Sequence, residues 1–142
     1  MNLIKIKIAK NPAEMRDAFY VRNCVFVNEQ KNTIEENLDG FDKDAIHTVI
    51  YFKGIIIGCL RIRFFGEKAE FERVCILKKY RNKGFGKIIV EFALDCCKNK
   101  TKEITLDAQY SAKKFYKKCG FIVRGKEFEK FGTPHIEMFH LY

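Results

Sequence analysis

The sequence predicts an α/β fold of the α+β type, in which one domain spanning residues 1–142 carries a single mixed sheet. Segments with a period of two alternate with segments of helical period, in the order β-α-β-β-β-α-β-α-β-β. A chain of 142 residues suffices for one core but is short for two. Apolar residues at 47% beside charged residues at 32% are the usual balance of a globular domain.

The first half of the chain predicts one strand, one helix and a three-stranded meander. Residues 3–8 alternate apolar and polar side chains as a strand does. Asn11 and Pro12 predict the N-cap and first residue of a helix. The polar residues 28–44 predict a loop with room for a short helix. Short turns separate three further strands, at residues 46–52, 55–65 and 69–77, which we expect to pair antiparallel.

The second half predicts two helices and three strands. Apolar residues between positions 85 and 96 recur at the spacing of an amphipathic helix. Residues 103–107 predict a short strand, and residues 111–118 predict a helix that ends at Gly120. The last two strands, residues 121–123 and 136–141, are expected to flank a polar loop.

The net charge of +9 attracts anions, so nucleic acid, acidic membranes and phosphorylated cofactors are all candidates. The lysines are spread over predicted helix faces, and the aromatic residues fall on apolar periodic positions, which predicts no nucleic-acid partner. The apolar runs are too short to span a bilayer, and the N-terminus reads as a strand, which predicts no membrane partner and a cytoplasmic location.

The cysteines and histidines predict no metal site. None of the six cysteines forms a Cys-x-x-Cys pair, and most lie in apolar runs, as reduced core residues do. The three histidines complete no ligand spacing for zinc.

The most informative segment joins a predicted strand to the helix that follows it. Its glycines, Gly84 and Gly86, permit close backbone approach and positive φ. The next helix begins there, and a helix N-terminus favours an anion. Arg81, Lys83 and Lys87 add positive charge, so the segment predicts a diphosphate cradle, the alternative being a simple turn. Walker and dinucleotide-binding loops are excluded because their glycine spacing is absent.

Two motifs in register resemble the GNAT superfamily of N-acetyltransferases. The first is ERVCIL followed by YRNKGFGK, at residues 72–77 and 80–87, and the second is AKKFYKKCGF, at residues 112–121. Residues 22–30 and 132–138 look like a small bacterial subgroup that is similar to glyphosate N-acetyltransferase. The resemblance covers nearly the whole predicted order of strands and helices.

The resemblance implies a single GNAT-like acyl-CoA acyltransferase domain that uses acetyl-CoA, needs no metal and acetylates a small-molecule amine. Val74 and Ile76 would bind the pantetheine arm through their backbones, and the amide of Val74 or Cys75 would polarise the thioester carbonyl. Pyrophosphate binding would fall to Arg81, Asn82, Lys83, Gly84, Phe85, Gly86 and Lys87. The CoA channel would be lined by Gln109, Ser111 and Lys114, although the asparagine usual in that region is not obvious. Many relatives dimerise through their C-terminal strands, which implies a homodimer.

Acetyl transfer needs a deprotonated amine, donors for the developing oxyanion and a proton for the departing thiolate. Tyr116 matches the family tyrosine that donates to the CoA sulfur; the alternative is a core tyrosine. His135 matches the histidine base of glyphosate N-acetyltransferase, and its alternative is a histidine bonded to backbone.

Glu72 is the rival base, since many GNAT enzymes use a glutamate on this strand. A tight hairpin would set Arg61 opposite Glu72 and Arg63 opposite Glu70. Such ion pairs would explain all four residues structurally and would make Glu72 a poor base.

Three arginines bear on the acceptor. Arg22 lies on an apolar stripe, which is unusual, and would either bind an acidic group of the acceptor or bridge to Glu29 or Glu36. Together with Arg61 and Arg63 it indicates an anionic acceptor such as an amino acid or an amino-sugar phosphate, the alternatives being a protein N-terminus or lysine and a polyamine, which fits a basic site poorly. The alternative functions are a non-catalytic acyl-CoA-binding module and a nucleic-acid-binding module.

Overall fold

The computed structural model describes residues 2–142, which form one mixed sheet with helices on both faces. Its strands are β1 (Ile4–Ile8), β2 (Ile46–Phe52), β3 (Ile55–Phe65), β4 (Lys68–Ile76), β5 (Glu103–Gln109), β6 (Ile122–Lys130) and β7 (Thr133–Leu141). The α-helices are α1 (Pro12–Arg22), α2 (Ile34–Asn37), α3 (Phe85–Cys97) and α4 (Lys113–Lys118). The order across the sheet is β1-β2-β3-β4-β5-β7-β6, and β4 with β5 is the parallel pair. The predicted mixed α/β sheet and the antiparallel β2-β3-β4 meander are confirmed.

Helix α1 begins as predicted, because the Asn11 side chain accepts from the Glu14 amide at 2.9 Å and Pro12 follows the cap. The chain then continues through a π-helical segment, Asn23–Glu29, before α2. Ala18 and Val21 are fully buried, so α1 covers the face of the sheet formed by β2, β3 and β4.

Helix α3 covers the opposite face and supplies the main core. Ile89, Val90 and Ala93 of α3 are fully buried against strand residues such as Ile62 and Phe71. These positions are the apolar spacing that predicted the helix, and burying such side chains is the main stabilisation of the fold.

Strands β4 and β5 separate halfway along their length. Their pairing runs only from Lys68 and Glu103 to Glu70 and Thr105, although both strands continue further. Strand β4 also has an irregularity in its register with β3, where Arg73 takes a φ of 53°. A bulge of this kind bends a strand and redirects its side chains. The sheet therefore opens at its centre.

The C-terminal hairpin is longer than predicted. The polar loop expected between residues 123 and 136 is instead the paired ends of β6 and β7, joined at Phe131 and Gly132. The prediction was wrong because residues 125–129 are all exposed at the sheet edge. Their side chains therefore do not alternate between apolar and polar as those of a half-buried strand do. In the described range, 2–142, no helix is both long enough and apolar enough to cross a membrane.

Candidate active site

A cavity of about 810 Å³ opens where β4 and β5 separate. Its wall combines both sequence motifs with the end of the π-helical segment and the β6–β7 hairpin. Of the predicted site residues, its lining includes Glu72, Val74, Cys75, Ile76, Arg81, Asn82, Gly84, Gly86, Lys87, Gln109, Ser111, Tyr116 and His135. Five predicted residues do not line it, namely Arg22, Arg61, Lys83, Phe85 and Lys114.

One wall of the cavity is the second half of β4. Beyond Glu70 this strand has no pairing with β5, so one backbone edge is free to pair with an extended ligand. Val74, Cys75 and Ile76 line the cavity along that edge. The carbonyl of Ile76 already accepts a hydrogen bond of 2.9 Å from Arg81 Nε.

The glycine-containing loop ends in the N-terminus of α3. Asn82 and Gly84 have positive φ, 61° and 89°, and Gly84 is the N-cap. No side chain within residues 2–142 caps this helix, so its first amides are open to an anion. A Cβ added at Gly84 would have no atom within 4 Å, so the space beside it is free.

Two residues of this loop and one of α4 differ from their predicted positions. The Phe85 side chain packs in the core with its ring 5.1 Å from that of Phe52, which leaves only its backbone amide for a ligand. Lys83 and Lys114 are exposed and point outside the cavity wall. Any contribution of these two lysines to anion binding is therefore through general positive charge.

The end of the π-helical segment reaches both walls of the cavity. Arg81 donates two hydrogen bonds of 2.6 Å to the carboxylate of Glu29, and this contact lowers the pKa of Glu29. The Gln109 side-chain amide donates to the Gln30 side-chain oxygen at 2.9 Å. Glu29 and Gln30 therefore join the β4 side of the cavity to the β5 side.

Tyr116 has the environment of a proton donor. Its side chain is buried and lines the cavity, and burial raises the pKa of its phenol, so the hydroxyl stays protonated. In the described part of the chain this hydroxyl has no hydrogen-bond partner. The fully buried atoms without a partner are Arg61 Nε and Glu72 Oε1, so the Tyr116 hydroxyl is open to the cavity.

His135 is held in one tautomer. Its Nδ1 lies 2.8 Å from the Thr133 carbonyl oxygen, which can only accept, so we assign the ring proton to Nδ1. The lone pair of Nε2 is then available for a proton. His135 lies in β7 opposite Gln109, and both residues line the cavity.

Glu72 and Glu70 differ in their partners. The Glu72 carboxylate forms ion pairs with both arginines, at 3.1 Å from Arg61 and 3.5 Å from Arg63. The Cα atoms of Arg63 and Glu70 are opposite as predicted, but the Arg63 guanidinium leans instead toward Glu72 and over the Phe41 ring, 3.8 Å away. The predicted ion pair between Arg63 and Glu70 is therefore wrong, although the two residues do face each other across the strands.

Glu70 is a cavity residue that the sequence reasoning missed. Within residues 2–142 its carboxylate has no ion pair, and its pKa is raised by burial and by the neighbouring charges of Glu72 and Asp107. A raised pKa makes Glu70 a better proton acceptor than an ordinary glutamate. Its place on the same strand face as Glu72, two residues away, was the signal that could have found it.

The prediction that Arg22 and Arg61 contact an acceptor is not met, because both side chains lie beneath the cavity wall and are almost wholly buried. Arg22 bonds Asp42 at 2.7 Å and the Asn37 carbonyl at 2.6 Å, rather than Glu29 or Glu36. Arg61 bonds Asp39 at 2.7 Å and Asp42 at 2.9 Å. All three nitrogens of Arg22 are bonded, and Arg61 Nε, which has no partner, is fully buried, so neither arginine offers an accessible donor to a ligand.

Arg73 lines the cavity, as Arg81 does, but was not among the predicted site residues. It belongs to the first motif, but the direction of its side chain depends on the bulge in β4, which the sequence does not reveal. Lys130, from the end of β6, also lines the cavity and bonds Asp107 at 3.1 Å.

Cys75 lines the cavity as a neutral thiol. Its sulfur lies 3.6 Å from that of Cys59, and burial followed by this contact raises the pKa of Cys75 well above its usual range. A protonated thiol is a weak nucleophile. Over residues 2–142 no group of histidines, cysteines and carboxylates is arranged to hold a metal ion.

Comparison with protein families matches residues 15–141 to the acetyltransferase (GNAT) domain. The chain is 38% identical over 138 residues to an uncharacterized N-acetyltransferase of Bacillus subtilis, YjcF, covering 95% of this chain and 98% of that one. Such a match over nearly the full length of both chains is what members of one family show.

Solved structures share the fold. A Lactobacillus plantarum protein assigned as an N-acetyltransferase superposes with a TM-score of 0.91 at 26% identity, covering 99% of both chains. A GNAT family acetyltransferase from Elizabethkingia anophelis, solved with acetyl-CoA bound, gives a TM-score of 0.74 at 16% identity over 100% of both chains.

Proposed function

This chain belongs to the GNAT acetyltransferase family, and on that premise we propose that it transfers an acetyl group from acetyl-CoA to the primary amine of a small acceptor by direct attack in a ternary complex. The observation that carries the proposal is a single cavity with three features on its wall. These are the free edge of β4, the uncapped N-terminus of α3 and the unpartnered hydroxyl of Tyr116.

In this proposal the cofactor occupies the space between β4 and β5. The pantetheine arm pairs with the backbone of Val74 and Ile76, and the pyrophosphate lies against the amides that follow Gly84. Lys87 and Arg81 add positive charge there, and Gln109 and Ser111 line the opposite side. The acetyl group is then the part of the cofactor nearest the point where β4 and β5 begin to pair.

The chemistry follows from the side chains around that point. An amide of β4 at Val74 or Cys75 donates to the thioester oxygen as it gains charge. His135 Nε2 or the Glu70 carboxylate takes the proton of the acceptor amine, and Tyr116 gives a proton to the departing sulfur. Glu72 is less suited because two arginines hold its charge. Direct attack is favoured over an acyl-cysteine because Cys75 stays a thiol.

The predicted anionic acceptor, the subgroup similar to glyphosate N-acetyltransferase, the homodimer and the cytoplasmic location all stay predictions. The alternative of a non-catalytic acyl-CoA-binding module makes the same cofactor prediction but requires no reaction. The experiment that follows separates the two.

The test combines calorimetric titration with a thiol-release assay. Acetyl-CoA is titrated into the protein, and the same samples are then given a panel of primary amines, with a sample lacking amine as control for hydrolysis. Binding with amine-dependent thiol release supports the proposal. Binding without release by any amine supports the non-catalytic module, and absence of binding overturns both and directs attention to nucleic acid at several salt concentrations.

A further inference from the structure

We propose that Arg73 binds an anionic group, a carboxylate or a phosphate, on the acceptor while the acceptor amine points toward Glu70. This inference rests on the proposed acetyl transfer and assigns its acceptor recognition to a residue other than the predicted Arg22 and Arg61. Arg22 and Arg61 are buried and do not line the cavity, whereas Arg73 does.

The bulge in β4 sets the direction of Arg73. Its φ of 53° is disfavoured for a residue with a Cβ, and such outliers concentrate at functional sites. The guanidinium Nη2 donates to the Glu36 carbonyl at 2.8 Å and to Asp39 Oδ2 at 3.0 Å, and Nε lies 3.4 Å from the Asn37 carbonyl. These contacts fix the guanidinium against the C-terminal end of α2 and the segment that follows it.

One edge of the guanidinium is left without a partner. The side chain is only 10% exposed, and Nη1 has no acceptor anywhere in residues 2–142. Nη1 is also not one of the fully buried unpartnered atoms, so it opens onto the cavity that Arg73 lines. The Phe131 ring, 5.9 Å away, bounds the same space. A fixed and nearly buried donor of this kind suits a carboxylate or phosphate oxygen.

The surrounding charges leave a positive excess. Carboxylate partners raise the pKa of Arg61 despite its burial, whereas burial and the nearby Arg61 lower the pKa of Arg73. The charge of Arg73, which has one carboxylate partner, is thus less fully compensated than that of Arg61, which has three. The cluster consists of four arginines, Arg22, Arg61, Arg63 and Arg73, and three carboxylates, Asp39, Asp42 and Glu72.

A carboxylate, that of Glu70, lies nearby on the same strand as Arg73. Glu70 is three residues before Arg73, roughly 10 Å along a strand, and carries no ion pair in the described chain. An acceptor with an amine and an anionic group would therefore meet Glu70 with the first and Arg73 with the second. A small zwitterion satisfies both ends of the cavity better than a simple amine.

The test measures kcat/KM for matched acceptors that differ only in the anion. One pair is an amino acid and its carboxamide, and the other is glucosamine 6-phosphate and glucosamine. We expect wild type to prefer the anionic member of at least one pair by roughly tenfold to a hundredfold, and the pair that shows the preference identifies carboxylate or phosphate. Arg73→Gln should abolish the preference while changing the uncharged member little, and Arg73→Lys should retain part of it.

Arg63→Gln is the matched control, because it removes an equal charge from the adjacent strand without lining the cavity. It should keep the preference. Equal use of both members by wild type overturns the inference, and so does an Arg73→Gln variant that lowers both members equally, since that is the signature of a purely structural role.

A binding measurement keeps the inference testable without turnover. The N-acetylated form of each pair member is titrated into the protein saturated with CoA. Tighter binding of the anionic product, lost in Arg73→Gln, supports the inference, and equal binding overturns it. Failure of acetyl-CoA itself to bind would instead overturn the proposed function, so the two failures are distinguishable.

Discussion

Replacing Gly84 by alanine should separate backbone strain from cofactor binding. Gly84 has a φ of 89° and free space where a Cβ would stand. An L-residue in this left-handed region costs about 1–2 kcal/mol. For a domain of this length, that corresponds to a decrease in Tm of about 2–6 °C. The strain alone therefore predicts a modest loss of stability and a folded protein.

The added methyl group should affect binding more strongly than folding. It would occupy the space beside the uncapped amides of α3, where we propose the pyrophosphate lies. Loss of one hydrogen bond to a charged group costs about 1.5–3 kcal/mol, so the Kd for acetyl-CoA should rise by roughly tenfold to a hundredfold. Calorimetric titration measures the Kd, and thermal unfolding without ligand measures the strain.

Gly125→Ala is the matched control. Gly125 has a φ of 83° and equally free space, but it lies in β6, outside the cavity lining. It should show a similar decrease in Tm with an unchanged Kd. The reasoning is refuted if Gly84→Ala loses stability like the control yet binds acetyl-CoA as tightly as wild type.

The remaining predictions concern three kinds of side chain. Tyr116→Phe should lower kcat by roughly tenfold to a hundredfold with little change in Tm, because the hydroxyl has no protein partner to lose; unchanged kcat in steady-state assays would remove its role as proton donor. Glu70→Gln should raise the Tm at pH 7 but not below about pH 4. The raised pKa of Glu70 means that the folded state favours its protonated form, so the stability that this form contributes is present at low pH and is lost as pH rises through the folded pKa. Glu72→Gln should instead lower the Tm at pH 7, because it removes the ion-pair partner of Arg63 and one of the three carboxylates around the buried Arg61; thermal unfolding at both pH values contradicts us if the two variants behave alike. Arg22→Gln should cost about 3–5 kcal/mol in denaturant unfolding, because it leaves Asp42 without its shortest ion pair, and a cost below about 1 kcal/mol would contradict its structural role.

Periodicity and spacing were enough to predict the sheet and its helices, and the resemblance carried by the two motifs supplied most of the residues that line the cavity. The apolar positions of α3 and the Asn11–Pro12 start of α1 are local patterns that need no knowledge of the rest of the chain. Both motifs reach the cavity, because the first ends β4 and the second follows β5. The polar ends of the β6–β7 hairpin carried no such pattern, and the extension of both strands through residues 124–135 was missed.

The roles of the arginines could not be predicted for a different reason. Whether Arg22 or Arg73 faces a ligand depends on partners 15 and 34 residues away in sequence, Asn37 and Asp39, which only the folded loop brings near. It also depends on one backbone angle, the positive φ of Arg73. Sequence patterns report which residues share a face of an element and say little about which charges are already paired.

The contact between Arg81 and Glu29 changes how affinity in this site should be understood. The carboxylate of Glu29 binds the terminal nitrogens of Arg81 much as a phosphate oxygen would. An incoming anion that binds those nitrogens must first displace the Glu29 carboxylate, which is also negatively charged and has a similar geometry. The free energy gained there is a difference between two similar sets of bonds, so rapid exchange of one cofactor molecule for the next is favoured over tight retention.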